Sequence, residues 1–257
     1  HVLPRLRKDF IKNLVVHRTV KTIGIGESFL AEKIELWENS LEKVNIKLAY
    51  LPSPGVVKLR LSGYGDDERK TLASISTKIN ELTSIVGDYI YGYEKEELNQ
   101  LVGDLLLGSA KTLSTAESCT GGYIAHLITS VPGSSAYFKG SIVAYSNETK
   151  SAHLAVERTE INRSGAVSQE VVEQMAIGAI AQLETDYSIA TSGILGPDGG
   201  SDEKPVGTVW IAVASNFGVI SEKIQLGKSR RRNIQIAALT SLNMLRKYIL
   251  SHKKSSL

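Results

Sequence analysis

The feature that most constrains this chain is an alternation. Downstream of residue 93, runs of strand length trade places with runs of helix length, and glycine-rich corners separate them. Helical spacing of apolar residues marks Glu96–Ala110, Gly122–Thr129, Gln169–Glu184 and about Asn233–Leu250. Strands are predicted at Thr112–Thr115, Gly140–Tyr145 and Tyr187–Thr191. Val206–Ala214 and Val219–Gln225 form a hairpin around Asn216-Phe217-Gly218. Strand–helix alternation demands a sheet with helices on its faces, and the hairpin adds an antiparallel edge. The expectation is an α/β domain of three layers, α/β/α, with a mixed sheet.

Upstream the texture changes. Phe29, Leu30, Ile34 and Trp37 recur at helical spacing after a start that Ser28 or Glu27 can cap. Ile46–Tyr50 and Val56–Gly63 read as strands around a Pro-Ser-Pro-Gly turn, and Asp67–Ser84 as a second amphipathic helix. This is a small α+β unit of about 80 residues. It holds no cluster of His, Cys or paired acids with an evident task.

Composition removes several classes of function. Hydrophobic residues make up 42% of the 257 and charged residues 22%, which excludes global disorder. No uninterrupted run of 18 apolar residues occurs, so no membrane-spanning helix is expected. The net charge of +3 is too small to argue for a nucleic-acid partner. Cys119 is the only cysteine, which rules out an internal disulfide and suits a reducing cytoplasm. The chain begins with His1 and not Met, so it is expected to be a cut or processed piece of something longer. Lys228-Ser229-Arg230-Arg231-Arg232 reads either as a solvated helix start or as a contact for an anionic ligand. The tail Ser251–Ser256 is expected to fray.

The stretch richest in chemistry is Thr115-Ala116-Glu117-Ser118-Cys119-Thr120-Gly121-Gly122, where a strand hands over to a helix. Ligands in α/β sheets bind beyond the carboxyl ends of strands, and a helix start offers unpaired N–H groups there. A hydroxyl in such a turn can be a nucleophile with an oxyanion hole beside it, or simply a helix cap. Ser118 and Cys119 are both candidates. A thiolate needs a base or an electropositive niche. Yet none of His1, His17, His126, His153 and His252 sits at a strand end with an orienting acid. No two of them have metal-ligand spacing, so no metal site is expected. Lys150 is the other base available. Asn147 can cap a helix that starts after the strand ending near Tyr145, which places Lys150 in its first turn. A helix N-terminus and burial both favour the neutral amine there. Tyr145 can bridge hydroxyl and amine; alternatively, Lys150 is an exposed side chain lying over the helix start. A second glycine corner, Thr191–Gly200, is either a ligand cradle or a plain connection. It matches neither a Walker A loop nor the dinucleotide fingerprint.

Taken together, these stretches resemble the CinA family. The resemblance runs through Ala116–Gly122, Ala144-Tyr145-Ser146-Asn147-Glu148, Gly165-Ala166-Val167-Ser168, Ser192-Gly193-Ile194, Gly196-Pro197-Asp198-Gly199-Gly200 and Lys204-Pro205-Val206-Gly207-Thr208-Val209. It implies three regions: residues 1–12 as a remnant of an upstream molybdopterin-binding-like domain, 13–93 as a KH-like middle domain, and 94–257 as an amidohydrolase domain. The Gly-x-x-Gly clamp of nucleic-acid-binding KH domains is not apparent, because Gly24-Ile25-Gly26 is too short.

The activity implied is that of a serine amidohydrolase of pyridine nucleotide salvage. It converts nicotinamide mononucleotide to nicotinate mononucleotide and ammonia, without metal or redox cofactor. The family's Ser, Tyr and Lys carry over to Ser118, Tyr145 and Lys150. Cys119, Thr120, Gly121, Asn147, Gly193 and Asp198 are expected around the substrate, and a cytoplasmic homodimer is implied. The alternative is a non-catalytic nucleotide-binding module of a competence- or damage-associated protein.

Overall fold

Two units divide at Glu96/Glu97 in the computed structural model, which describes residues 14–254. The expected upstream remnant at residues 1–12, and the last residues of the tail, lie outside the described residues.

The first unit is a four-stranded antiparallel sheet in the order β2-β3-β1-β4. Its strands are β1 (Leu14–Ile23), β2 (Ile46–Ser53), β3 (Val56–Gly65) and β4 (Ile90–Tyr93). Helices α1 (Glu27–Ser40) and α2 (Glu68–Val86) complete it. Val16, Val20, Leu59 and Leu61 of the sheet pack with Leu30, Ile34 and Trp37 of α1 and with Ile75, Leu82 and Val86 of α2. Asp67 caps α2 by accepting from the N–H groups of Arg69 and Lys70, at 2.9 and 3.2 Å. The expected cap of α1 by Ser28 or Glu27 is replaced by Gly26, which makes no side-chain cap. Strands β1 and β4 were not foreseen. In β1 the polar His17-Arg18 and Lys21 interrupt the apolar alternation, although Lys21 is buried.

The second unit carries a five-stranded mixed sheet in the order β6-β5-β7-β8-β9. Strands β5 (Leu113–Glu117), β6 (Phe138–Val143) and β7 (Tyr187–Gly193) run parallel. Strands β8 (Thr208–Ser215) and β9 (Gly218–Gln225) add the expected antiparallel hairpin. The helices are α3 (Leu98–Leu107), α4 (Tyr123–Thr129), α5 (Asn147–Leu154), α6 (Arg158–Ser164), α7 (Gln169–Leu183) and α8 (Arg230–Lys254). On one face Ala116, Ala190, Ala212 and Ala214 meet Val171, Val172, Met175, Ala176 and Ala179 of α7. Alanines on the sheet leave room for the helix to lie close. On the other face Val209 and Ile211 meet Ala237 and Ile234 of α8. Because alternate residues of β8 serve opposite faces, the sheet is covered twice and the unit has three layers.

Three differences from the sequence reading matter. Strand β6 ends at Val143, two residues before the expected end, because the chain bends where the Ala144 N–H returns to the Ile142 carbonyl at 3.1 Å. The cap of α5 is Ser146 and not Asn147; its Oγ accepts from the Thr149 N–H at 3.2 Å. Helix α8 begins at Arg230, which places the basic run at its first turn, and continues to Lys254 where fraying was expected.

Candidate active site

Ser118 stands directly after β5, a strand flanked on both sides by parallel neighbours. Its N–H extends the ladder by donating to the Thr191 carbonyl at 3.0 Å, so the backbone is fixed up to the hydroxyl-bearing residue. The chain then turns through Gly121 and Gly122, whose φ angles of 61° and 94° lie where a β-carbon would be strained.

What organises this turn is Glu117, a residue the sequence reading left without a task. Its carboxylate is fully buried. Oε2 accepts from Thr120 Oγ1 at 2.7 Å and from the N–H groups of Gly122 and Ile124 at 3.0 Å each; Oε1 accepts from the Ala125 N–H at 2.8 Å. A buried carboxylate is tolerated only when its lone pairs are filled in this way. The start of α4, expected to offer its free N–H groups to a ligand, therefore spends them on the protein's own carboxylate. Gly121 spends its N–H on the Ser118 carbonyl at 3.2 Å. Among the described hydrogen bonds, the Thr120 N–H takes no protein partner and the Cys119 N–H meets only its own thiol.

The amine of Lys150 lies 3.0 Å from Ser118 Oγ. Lys150 is the fourth residue of α5 and is 1% exposed, so it is a buried lysine and not one lying over the helix start. The bend after β6 frees two carbonyls, and Nζ donates to that of Ala144 at 2.9 Å and that of Tyr145 at 3.4 Å. Burial pushes its pKa below the ordinary lysine value, against smaller opposite effects from Cys119 and Glu148. Among the described residues no carboxylate forms an ion pair with it. In its neutral form, which burial favours, the amine has two hydrogens for the two carbonyls and a lone pair for the Ser118 hydroxyl.

Cys119 is nearly buried, and burial pushes its thiol up to about 12. At neutral pH it is a thiol, without the thiolate that makes cysteine the stronger nucleophile.

Over Ser118 and Lys150 opens a cavity of about 260 Å³. Of the residues expected around the substrate, Cys119, Asn147, Gly193 and Asp198 line it, together with Ala166, Ser192 and Arg230. Thr120 and Gly121 do not line it. The hydroxyl of Thr120 turns inward to Glu117 and, at 2.8 Å, to Thr191 Oγ1, because that buried carboxylate needs a donor. Tyr145 lines the cavity but is not a bridge between amine and hydroxyl. It is 64% exposed, and its phenolic oxygen accepts from Arg230 Nη2 at 3.1 Å. Lys150 reaches Ser118 directly, so the geometry leaves no gap for a relay. Arg230 also donates from Nη1 to the Gly196 carbonyl at 3.0 Å, which holds a guanidinium at the cavity wall. Arg230 belongs to the basic run Lys228–Arg232, and spacing alone does not distinguish it from Arg231 or Arg232. Among the described residues, no group of three or more His, Cys, Asp or Glu could hold a metal ion.

The sequence pattern of the CinA C-terminal domain matches residues 95–249, and that of the damage-inducible protein CinA KH domain matches residues 17–92. A CinA-like protein of Flavobacterium psychrophilum is 47% identical over 252 residues, covering 98% of this chain and 60% of the relative. One of Cytophaga hutchinsonii is 44% identical over 245 residues, covering 95% and 58%. The chain thus spans about three-fifths of the length of these curated relatives. Among solved structures, the competence/damage inducible protein CihA from Agrobacterium tumefaciens is 34% identical with a TM-score of 0.56, covering 60% of this chain and 97% of the other. A CinA superfamily protein from Klebsiella pneumoniae is 28% identical with a TM-score of 0.58, covering 61% and 99%. With two adjacent domain patterns matched in order and solved relatives sharing the architecture, this chain belongs to the CinA family.

Proposed function

We propose that the second unit is a serine amidohydrolase that deamidates nicotinamide mononucleotide to nicotinate mononucleotide and ammonia. The observation that carries this reading is the 3.0 Å contact between Ser118 Oγ and the buried amine of Lys150. Lys150 accepts the Ser118 proton as Oγ attacks the carboxamide carbon. The N–H groups of Cys119 and Thr120 are the donors left for the developing oxyanion. The protonated amine then returns its proton to the departing nitrogen, ammonia leaves, and an acyl-serine remains. Water, deprotonated by Lys150, opens that ester and restores Ser118. Arg230 supplies the cation for the nucleotide phosphate, with Tyr145 holding its guanidinium in place. The substrate itself is supported by the family resemblance and by the cationic, polar cavity wall. A cytoplasmic homodimer belongs to the same reading.

Ammonia release from nicotinamide mononucleotide tests it. Wild-type protein is expected to turn over, whereas Ser118→Ala and Lys150→Met lose at least about a thousandfold in kcat/KM. Saturable binding without ammonia release by the wild type would replace the enzyme with a nucleotide-binding module.

A further inference from the structure

We propose that Glu117 and Thr120 are positioning residues that hold the oxyanion-binding turn open. The proposal rests on Ser118 being the nucleophile. The carboxylate of Glu117 is buried and absent from the cavity lining, and it gathers four donors of the turn. It takes the N–H groups of Gly122, Ile124 and Ala125 and the hydroxyl of Thr120. Thr120 is bonded in turn to Thr191 Oγ1, on the strand whose carbonyl anchors the Ser118 N–H. The residues on either side of the Ser118–Cys119–Thr120 segment are thus tied to the same buried point. The Thr120 N–H, and the Cys119 N–H beside its own thiol, are left over, and these are the donors an oxyanion at Ser118 needs.

Preorganisation of this kind acts in the transition state and not on ground-state binding. Glutamine at 117 keeps the shape but must turn an NH2 group toward backbone N–H donors, so it loosens the turn. Valine at 120 keeps the volume and removes the tie between Glu117 and Thr191. Serine at 120 restores it. None of these changes touches Lys150.

The test uses a reaction that reports the turn without depending on the natural substrate. With an alkyl fluorophosphonate, Ser118 Oγ forms a bond to phosphorus, the P–F bond breaks, fluoride leaves and the serine proton passes to Lys150. The phosphoryl oxygen occupies the oxyanion position. Labelling rates are followed by intact mass, with the site confirmed by peptide mapping and folding by circular dichroism. Wild type and Thr120→Ser are expected to label at Ser118 within about threefold of each other. Thr120→Val and Glu117→Gln label at least tenfold more slowly, with the pH midpoint of labelling unchanged. In ammonia-release assays the same variants lose kcat with little change in KM. If Glu117→Gln does not fold, the two Thr120 variants decide. Folded Thr120→Val labelling at the wild-type rate would overturn the positioning role and leave Ser118 as nucleophile. Wild type without label at Ser118 would overturn the nucleophile, and this proposal with it.

Discussion

At the scale of single residues, the site is a contest between two neighbours, a hydroxyl and a thiol. The thiol would win on intrinsic nucleophilicity if it ionised, but burial holds the Cys119 proton on up to about pH 12. The hydroxyl has a base 3.0 Å away. Cys119→Ala is therefore expected to keep ammonia release within about tenfold of wild type, whereas Ser118→Ala abolishes it; the reverse pattern in the same assay would identify a cysteine amidase. Lys150 dictates the pH dependence. Its lowered pKa means that the active, neutral form exists above that pKa and is lost as pH falls through it. A profile of kcat/KM is expected to rise to a plateau with a midpoint below the ordinary lysine value. Lys150→Arg cannot follow it, because a guanidinium does not give up its proton. The strand–helix junctions made Ser118 and Lys150 candidates among alternatives, and the family resemblance singled them out. Glu117 was not legible in the sequence, since a carboxylate at a strand end looks like any exposed acid until its four closest donors are seen.

Elements, more than residues, set the distance between amine and hydroxyl. Ser118 rides on β5 and Lys150 on α5, and α5 is pressed onto α7. A β-carbon on Gly178 of α7 would stand 2.0 Å from the Leu154 carbonyl oxygen at the end of α5. Backbone cannot yield there as a flexible side chain would. Gly178→Ala is expected to cost about 1–3 kcal/mol, measured by urea unfolding, and to lower turnover by shifting the helix that carries Lys150. Wild-type stability and turnover together would show that the two helices can separate without consequence. The long periodic helices and the hairpin could be read from spacing alone. The ends could not: β6 stops two residues early because its next two carbonyls serve Lys150, and a tertiary demand of that kind leaves no mark on local periodicity. Strand β1 was hidden for a related reason. Lys21 is polar by sequence yet buried in the fold.

For the molecule as a whole, every residue assigned to the reaction lies in the second unit. The KH-like unit contributes none of them, and among the described residues no helix is long and apolar enough to cross a membrane. The Agrobacterium tumefaciens structure is matched over 97% of its length by 60% of this chain, a share comparable to the second unit. A fragment of residues 97–257 is accordingly expected to fold and to release ammonia with kcat/KM within about fivefold of the full chain. A folded but inactive fragment would give the first unit a part in catalysis.

All of this depends on one charge state: the Lys150 amine must be neutral where ordinary lysines are protonated. An NMR titration of the Lys150 ε-nitrogen in the wild-type protein, assigned against Lys150→Met, reads that state without reference to any substrate. The expected midpoint lies below the ordinary lysine value of about 10.4. A midpoint at or above that value would leave Ser118 facing an ammonium ion and would contradict the proposed mechanism.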